Sequence, residues 1–290
     1  MKILKLSIEG LKNLKNTLEV DFVAQQRVDN DDKERMFNLF SNVYISPTLS
    51  FIGINASGKT TILKLISFAI GLLNNEPINS VSSKEFLEDL EIKQNIIFTA
   101  YFYHNDIVYK LKTLVGKKTK SIDGITKFEI TDETLWEKGI HKVKTKKSLY
   151  DFVDSEVKIR RNKNEEYLME DVSIIVALNK KQGTNFFLCD MSDFTDHNML
   201  NVLGQYPKEI LTFLDPSIET LSCKPVDKKV VIRLKFYGKE EIELNRPLAL
   251  NRYLSSGTIK GLSVFMGAVF SFLEGGYLIV DELENHFNRE

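Results

Sequence analysis

The chain has 290 residues, of which 43% are hydrophobic and 27% are charged, and its formal net charge is −1. A chain of this length can bury a sizeable core in one large domain or two lobes. Its near-neutral charge gives no overall electrostatic reason to expect binding to nucleic acid or to a membrane. Cys189 and Cys223 lie far apart and neither belongs to a Cys-x-x-Cys pair, so we expect reduced thiols rather than a disulfide or a metal site.

The N-terminal residues predict two strands. Residues 2–8 and 17–22 alternate between apolar and polar side chains, and residues 10–16 form the predicted turn between them. The first 16 residues lack the apolar run of a signal peptide. The most apolar stretch, residues 261–280, is divided by Glu274 and two glycines, which predicts a helix and then a strand rather than a membrane span. We therefore expect a soluble, cytoplasmic protein.

The strongest motif lies at residues 53–60, which read Gly-Ile-Asn-Ala-Ser-Gly-Lys-Thr and match the phosphate-binding pattern G-x-x-x-x-G-K-[ST]. An apolar run at residues 48–52 predicts a strand before it, and helical spacing over residues 60–73 predicts a helix after it. Lys59 would bridge the β- and γ-phosphates of ATP, and the Thr60 hydroxyl would ligate Mg²⁺. The alternative is a glycine turn with an incidental lysine. The predicted nucleotide contacts also include Gly53, Asn55, Ala56, Ser57, Gly58 and Thr61.

The middle of the chain carries weaker patterns. Residues 84–90 predict a short helix, and residues 96–103 and 107–111 predict an antiparallel hairpin. Residues 114–170 are rich in lysine, and we interpret them as hairpins and a mobile arm. A buried strand, a helical stretch and the two strands of a further hairpin are predicted at residues 172–178, 197–214, 230–237 and 240–244.

A second motif, Leu-Ser-Ser-Gly-Thr, occupies residues 254–258 at the start of a predicted amphipathic helix. Two serine hydroxyls at a helix N-terminus can form an anion site. The alternative is that Ser255 or Ser256 acts only as the N-cap of the helix.

A third motif, Tyr-Leu-Ile-Val-Asp-Glu, occupies residues 277–282 and reads as an apolar strand that ends in two carboxylates. Asp281 could reach Mg²⁺ through its water shell, and Glu282 could orient or deprotonate an attacking water molecule. A strand that ends in two solvated acids is the alternative. Together with the upstream loop, this motif predicts an ATPase in which Glu282 and Lys59 are catalytic.

The order of the three motifs resembles that of the ABC-type ATPases, whose signature sequence has variants like residues 254–258. Three segments resemble stand-alone RecF/SMC-like members: Gly-Leu-Lys-Asn-Leu-Lys at 10–15, the loop at 53–61, and Val-Asp-Glu-Leu-Glu-Asn-His-Phe-Asn at 280–288. Among these the chain is most similar to AAA-family ATP-binding proteins related to the overcoming-lysogenisation-defect enzymes and to bacterial abortive-infection and anti-phage systems. The resemblance covers both ends of the chain and hardly extends to residues 115–210.

This resemblance implies an α/β P-loop NTPase fold, in the form of an ABC-ATPase head with a mixed β-sheet lobe, a helical signature lobe and an inserted arm. It implies a homodimer or higher homo-oligomer in which Ser255, Ser256 and Gly257 of one copy contact the γ-phosphate held by another. It also implies a switch histidine and closing elements after Glu290, so we expect the C-terminal part of the ATPase to lie outside this chain. Three parts are expected. The first, at 1–113, is an ATPase lobe with the phosphate-binding (Walker A) motif. The second, at 114–228, is the inserted arm and helical region, and the third, at 229–290, holds the signature helix and the carboxylate (Walker B) motif.

The resemblance implies four further roles. Gln94 would be the residue that senses Mg²⁺, although an ordinary strand residue is an equal alternative. Lys12 and Asn13 would lie near the adenine or the phosphates. His286 would contact the partner subunit, or would be an ordinary surface histidine. Basic runs at residues 141–147 and 158–163 would contact nucleic acid, or would simply be solvated surface.

Three functions remain open from the sequence. The favoured one is an ATPase of anti-phage defence that controls a separate or fused effector, such as a nuclease or a toxin. The others are a RecF/SMC-like ATPase of DNA repair or chromosome maintenance, and a non-catalytic scaffold that ATP locks into an oligomer. The expected ligands are ATP and Mg²⁺ in each case.

Overall fold

A computed structural model of the chain describes residues 1–11, 17–54, 57–88, 95–118, 126–162, 167–192, 204–226 and 229–283. It divides into two units, Met1–Phe186 and Phe187–Glu290. Gln94, Lys12, Asn13, Asn55, Ala56 and His286 lie outside the described residues.

The first unit is built on a six-stranded antiparallel sheet with strand order β2-β1-β5-β6-β7-β8. Strands β3 and β4 form a separate two-stranded sheet. The described elements of the unit are β1 Lys2–Glu9, β2 Leu18–Asp21, α1 Asn30–Lys33, β3 Phe37–Phe40, β4 Val43–Ile45, α2 Lys59–Leu73, β5 Asn95–His104, β6 Ile107–Lys117, β7 Phe128–Gly139, β8 Val157–Arg160 and α3 Ile175–Gln182. Short 3-10 helices occupy Ser82–Leu87, Ile140–Lys142, Lys147–Leu149 and Asp154–Glu156.

One face of this sheet forms the core of the first unit. Side chains alternate between the two faces of a strand, and the register places four fully buried side chains in one row across β1, β5, β6 and β7. Helix α2 packs on this face, where the rings of Phe68 and Phe98 meet edge to face with centroids 6.1 Å apart. The side chains of the buried row are Leu6, Ala100, Leu111 and Leu135.

A buried carboxylate connects the sheet to α3. Glu133 on β7 is fully buried. Its Oε1 accepts hydrogen bonds from the hydroxyls of Thr113 and Ser173, both at 2.7 Å, and its Oε2 accepts one from Ile174 N at 2.7 Å. The guanidinium of Arg161 lies 3.7 Å from Oε2. Because Ile174 is the N-cap residue of α3, Glu133 satisfies a backbone N–H group at the start of that helix.

The second unit contains two sheets and a long apolar helix. A four-stranded antiparallel sheet has the order β10-β11-β12-β13, and β14 pairs in parallel with β9. Its described elements are β9 Leu188–Met191, β10 Gly204–Gln205, α4 Lys208–Leu214, β11 Ile218–Val226, β12 Lys229–Phe236, β13 Ile242–Leu244, a 3-10 helix Pro247–Arg252, α5 Ser256–Leu273 and β14 Tyr277–Val280. Leu254, Ile259 and Leu262 join a core with buried side chains of β11 and β12.

Several predicted elements are confirmed. The hairpin of β5 and β6 turns at Asn105 and Asp106, which both adopt positive φ. Pairing of β6 with β7 and of β7 with β8 confirms hairpins within residues 114–170. The strand pair of β12 and β13 is also confirmed, as is the division of residues 261–280 into a helix and a strand. The coarse α/β class holds, with a large antiparallel sheet and several helices.

Two predicted strands are wrong. Residues 172–178 contain the start of α3 instead, because Glu133 closes the helix start and Gly183 ends the helix with φ 63°. A short apolar run does not distinguish a strand from a buried helix. Residues 48–52 are not a strand either, and Ile52 is 95% exposed. The backbone of Thr48 bonds to the Ser46 side chain there, and no described strand pairs with this segment.

Within the part of the chain that the structure describes, α5 alone is long and apolar enough to cross a membrane by length and composition. Half of this apolar stretch is buried inside the protein. Both cysteines are free thiols. Burial raises the pKa of Cys189, with Asp190 adding to the effect, and raises that of Cys223 to about 11.

Candidate nucleotide-binding site

The phosphate-binding motif forms a loop that turns directly into α2. Gly58 has φ 89° and ψ 15°, and the helix begins at the next residue. This left-handed conformation is costly for residues with a Cβ. A Cβ placed on Gly58 would meet no atom within 4 Å, so the backbone conformation rather than the available space requires glycine at this position.

The side chain of Lys59 folds back across this loop. Its Nζ donates to the carbonyl oxygens of Gly53 at 2.9 Å and Ile54 at 3.1 Å, and Ser57 N donates to Ile54 O at 3.2 Å. A Cβ on Gly53 would lie 2.6 Å from the Ser57 hydroxyl. The loop conformation therefore requires glycine at position 58, whereas a side chain at position 53 would require the Ser57 hydroxyl to move.

Helix α2 begins without a side chain of its own that could balance positive charge at its N-terminus. It has neither a side-chain N-cap nor an acidic residue in its first turn. An α-helix leaves its first N–H groups without intrahelical acceptors and carries partial positive charge at this end. Thr60 is exposed and Thr61 is half-buried in this first turn, so the predicted contact residues Gly53, Ser57, Gly58, Lys59, Thr60 and Thr61 surround one helix N-terminus.

In the second unit, the carboxylate motif follows strand β14. Gly276 allows the chain to approach β9 closely, because a Cβ there would lie 2.4 Å from Phe187 O. Tyr277 N then donates to Phe187 O at 2.9 Å, and the parallel register with β9 follows. Glycine at 276 therefore sets the start of the strand that carries Asp281 and Glu282 at its end.

The two carboxylates lie in a sharp turn. Asp281 Oδ1 accepts a hydrogen bond from Glu282 N at 3.0 Å. Glu282 has φ 50° and is exposed. A glutamate in the left-handed region is uncommon, and backbone strain of this kind often occurs at functional sites.

The second motif begins α5 with a serine cap. Ser255 is the N-cap residue, and its Oγ accepts from Thr258 N at 3.0 Å and lies 2.8 Å from the Thr258 hydroxyl. Ser255 and Ser256 are exposed and Gly257 is half-buried. The capping interaction considered from the sequence is therefore present in the structure, while contact with a second copy stays a prediction.

A strand that sequence reasoning missed lies beside the carboxylate motif. The carboxyl ends of parallel strands meet at one edge of a sheet, and Met191 of β9 is opposite Val280 of β14. Just after β9, both the backbone N and the hydroxyl of Ser192 donate to Asp190 Oδ1, at 2.9 and 2.7 Å. The only signal in the sequence was a short apolar run before Asp190.

The structure thus places the site residues in two groups, the loop residues in the first unit and Ser255, Ser256, Gly257, Asp281 and Glu282 in the second. Among the described residues, no cluster of three or more His, Cys, Asp or Glu side chains could hold a metal ion. No protein-family model matches the chain, and no curated protein is significantly similar to it. The P-loop NTPase fold and the ABC-type family therefore stay predictions.

Proposed function

We propose that the chain binds ATP with Mg²⁺ through residues 53–60 and hydrolyses ATP in an assembly of two or more copies. The observation that supports this most strongly is the Lys59 ammonium, held by two neutral carbonyl oxygens at the start of α2. Phosphate oxygens carry full negative charge and form stronger hydrogen bonds with an ammonium than carbonyl groups do. Lys59 could therefore exchange its present partners for a nucleotide.

The residues present fit a triphosphate and a hard cation. Nothing in the first turn of α2 cancels the positive potential of its N-terminus, and the space around Gly58 is open. Thr60 and Asp281 offer hydroxyl and carboxylate oxygens, which are donor types that Mg²⁺ accepts in proteins.

In the proposed reaction, ATP and water give ADP and phosphate. Bound Mg²⁺ would supply positive charge beside the phosphates. The loop amides and Lys59 would hold the phosphates, and Glu282 would accept the proton of the attacking water. Ser255, Ser256 and Gly257 of a second copy would contact the γ-phosphate at the start of α5. Closing and opening of the assembly would control a partner or a fused effector, and the family resemblance favours anti-phage defence as the setting.

Binding is tested by the substitution Lys59→Ala in the full chain, with a fluorescent ATP analogue in the presence of Mg²⁺. We expect the dissociation constant to rise by about 10- to 100-fold, because a charge-assisted contact to phosphate is lost. Lys64→Ala is the matched control, since this lysine is on the same helix and pairs with Glu85. Unchanged affinity in Lys59→Ala, or an equal loss in both variants, would contradict the proposal.

Hydrolysis is tested by phosphate release from Glu282→Gln, with Glu274→Gln after the end of α5 as the control. We expect Glu282→Gln to retain ATP binding and to lose hydrolysis by about 100-fold or more. Equal rates in parent and Glu282→Gln would show that Glu282 is not the base. If both proteins bind ATP but neither hydrolyses it, the ATP-locked scaffold replaces the enzyme as the proposed function.

A further inference from the structure

The second face of the six-stranded sheet carries a row of cations and aromatic rings. This face, opposite the one that packs against α2, presents residues from β5, β6, β7 and β8 that we call the sheet platform. The platform residues are Ile97, Tyr101, Lys110, Lys112, Leu114, Asp132, Thr134, Trp136 and Arg160.

One row of the platform alternates aromatic rings with a lysine. The register places Tyr101, Lys110 and Trp136 side by side on three adjacent strands. Lys110 Nζ lies 4.9 Å from the ring centroid of Trp136 and 5.8 Å from that of Tyr101. Burial lowers the pKa of Lys110, and the charges of Lys112 and Lys138 lower it further. An anion bound beside Lys110 would favour its charged form and offset the effect of the two neighbouring lysines.

The adjacent row places two cations on either side of a threonine. Lys112, Thr134 and Arg160 are cross-strand neighbours, so the backbones of Lys112 and Arg160 lie about 10 Å apart, two strand spacings. Together with Ile97, Leu114, Asp132 and Trp136 they line a shallow depression of about 360 Å³. The floor, Thr134, is buried, while the Arg160 side chain is 63% exposed and its ion pair with Asp154 is long, at 3.6 Å.

Arg160 belongs to the second basic run predicted from the sequence and lies on the platform. Three lysines of the two runs are less suited to binding an anion. Lys146 is occupied by the carbonyl oxygens of residues 24–26. Lys142 lies 3.6 Å from Glu156, and Lys158 forms a 2.8 Å ion pair with Glu137. The platform instead combines cations with aromatic rings, and Lys112 has no ion pair among the described residues.

We propose that the sheet platform binds single-stranded nucleic acid, with Trp136 contacting a base and Lys110, Lys112 and Arg160 contacting phosphates. Proteins that bind single strands pair a positively charged groove with aromatic side chains on which unstacked bases lie. Asp132 adds an acceptor at the edge of the depression for an amino group of a base. A duplex fits this surface less well, because its bases are stacked on each other. This site is separate from the proposed ATP-binding loop and does not depend on it.

Trp136 is the only tryptophan of the chain, so its fluorescence reports directly on the platform. The full chain is titrated, without ATP, with an oligothymidylate of about 12 nucleotides. We expect saturable quenching, and weaker binding as salt rises. The double variant Lys112→Ala/Arg160→Ala should bind at least about tenfold more weakly and show a smaller salt slope, by about 1.4 for two lost phosphate contacts.

Matched controls separate the platform from other surfaces. Lys142→Ala/Lys144→Ala removes the same charge from a basic run and should leave both quenching and affinity unchanged, as should Lys59→Ala. With a labelled oligonucleotide and anisotropy detection, Trp136→Phe should bind as the parent does, and Trp136→Ala about tenfold more weakly. Circular dichroism checks that each variant is folded.

Three results would overturn the proposal. The first is absence of quenching and of anisotropy change in the folded parent. The second is a loss of affinity in Lys142→Ala/Lys144→Ala equal to that in the platform variant, which would assign binding to general surface charge. The third is equal or tighter binding of a duplex of the same length. Because Lys59→Ala is predicted to lose ATP but keep the oligonucleotide, failure of either proposal is distinguishable from failure of the other.

Discussion

Helices α2 and α5 begin in opposite ways. Gly58 starts α2 in a left-handed conformation and supplies no side chain, while Ser255 starts α5 and accepts a hydrogen bond from Thr258 N. Helix α3 goes further, since the carboxylate of Glu133 from another strand binds its N-cap amide. Two of these three helix starts thus have a side-chain acceptor for a backbone N–H group. Helix α2 has no side-chain N-cap and no acidic residue in its first turn, and Lys59 lies beside its start, which is an arrangement that an anionic ligand would complement.

The largest effect should come from removing the carboxylate that caps the start of α3. Glu133→Ala leaves one backbone N–H, two hydroxyls and the Arg161 guanidinium without their buried acceptor. We expect the free energy of unfolding to fall by about 3–5 kcal/mol, measured by urea denaturation. Glu137→Ala, on the same strand but in a partly exposed ion pair with Lys158, should cost less than about 1 kcal/mol. A similar loss of stability in both variants would show that the effect of Glu133→Ala does not come from the cap of α3.

Glycine at the start of α2 should matter for stability and for ligand binding. Gly58→Ala is expected to cost about 1–2 kcal/mol of stability, because φ is 89°, and to weaken ATP binding by about tenfold or more, since the loop must change shape. Gly183→Ala is the matched control, with φ 63° and no atom within 4 Å of an added Cβ. It should show a similar loss of stability and no loss of ATP affinity. Unchanged ATP affinity in Gly58→Ala would contradict the proposal that the start of α2 binds ATP.

The glycines and lysine of the loop could be identified from the sequence because their chemistry depends on neighbours in the chain. Gly58 must turn left-handed where Lys59 begins a helix, and Gly53, which accepts a hydrogen bond from Lys59, lies only six positions earlier in the chain. The Ser255 cap is equally local, because its partner Thr258 lies three positions later. A local pattern therefore predicted both helix starts.

Elements that depend on distant partners were not predictable in the same way. The local sequence of α3 predicts a strand, because Glu133, which caps the start of the helix, lies about 40 residues earlier in the chain. Strand β9 was missed because β14, its strand partner among the described residues, follows it by almost 90 residues. The platform was likewise invisible, since Lys112, Thr134 and Arg160 become neighbours only through the sheet register.

The start of α5 should respond to substitution by a smaller amount, and in a way that separates capping from ligand contact. Ser255→Ala is expected to lower the free energy of unfolding by about 1 kcal/mol. Ser255→Asp should keep the cap and the stability, because an aspartate accepts from Thr258 N equally well. Its charge would repel a phosphate, so ATP-dependent association, measured by analytical ultracentrifugation, should be lost. If Ser255→Asp associates as the parent does, this residue is only a cap.

The smallest effect is a pH dependence of stability, which tests the protonation state in which Glu133 caps α3. Burial raises the pKa of Glu133, and this outweighs the opposing hydrogen bonds from Ile174 N, Thr113 and Ser173 and the charge of Arg161. A carboxyl whose pKa is higher in the folded state binds its proton more tightly there, so its contribution to stability falls as pH rises above about 4.5. Relative to Glu133→Gln, which does not titrate at this position, the parent should lose stability against urea as the pH rises above about 4.5. The opposite trend would mean that the hydrogen bonds and Arg161 outweigh burial, and that α3 begins on a permanently ionised carboxylate.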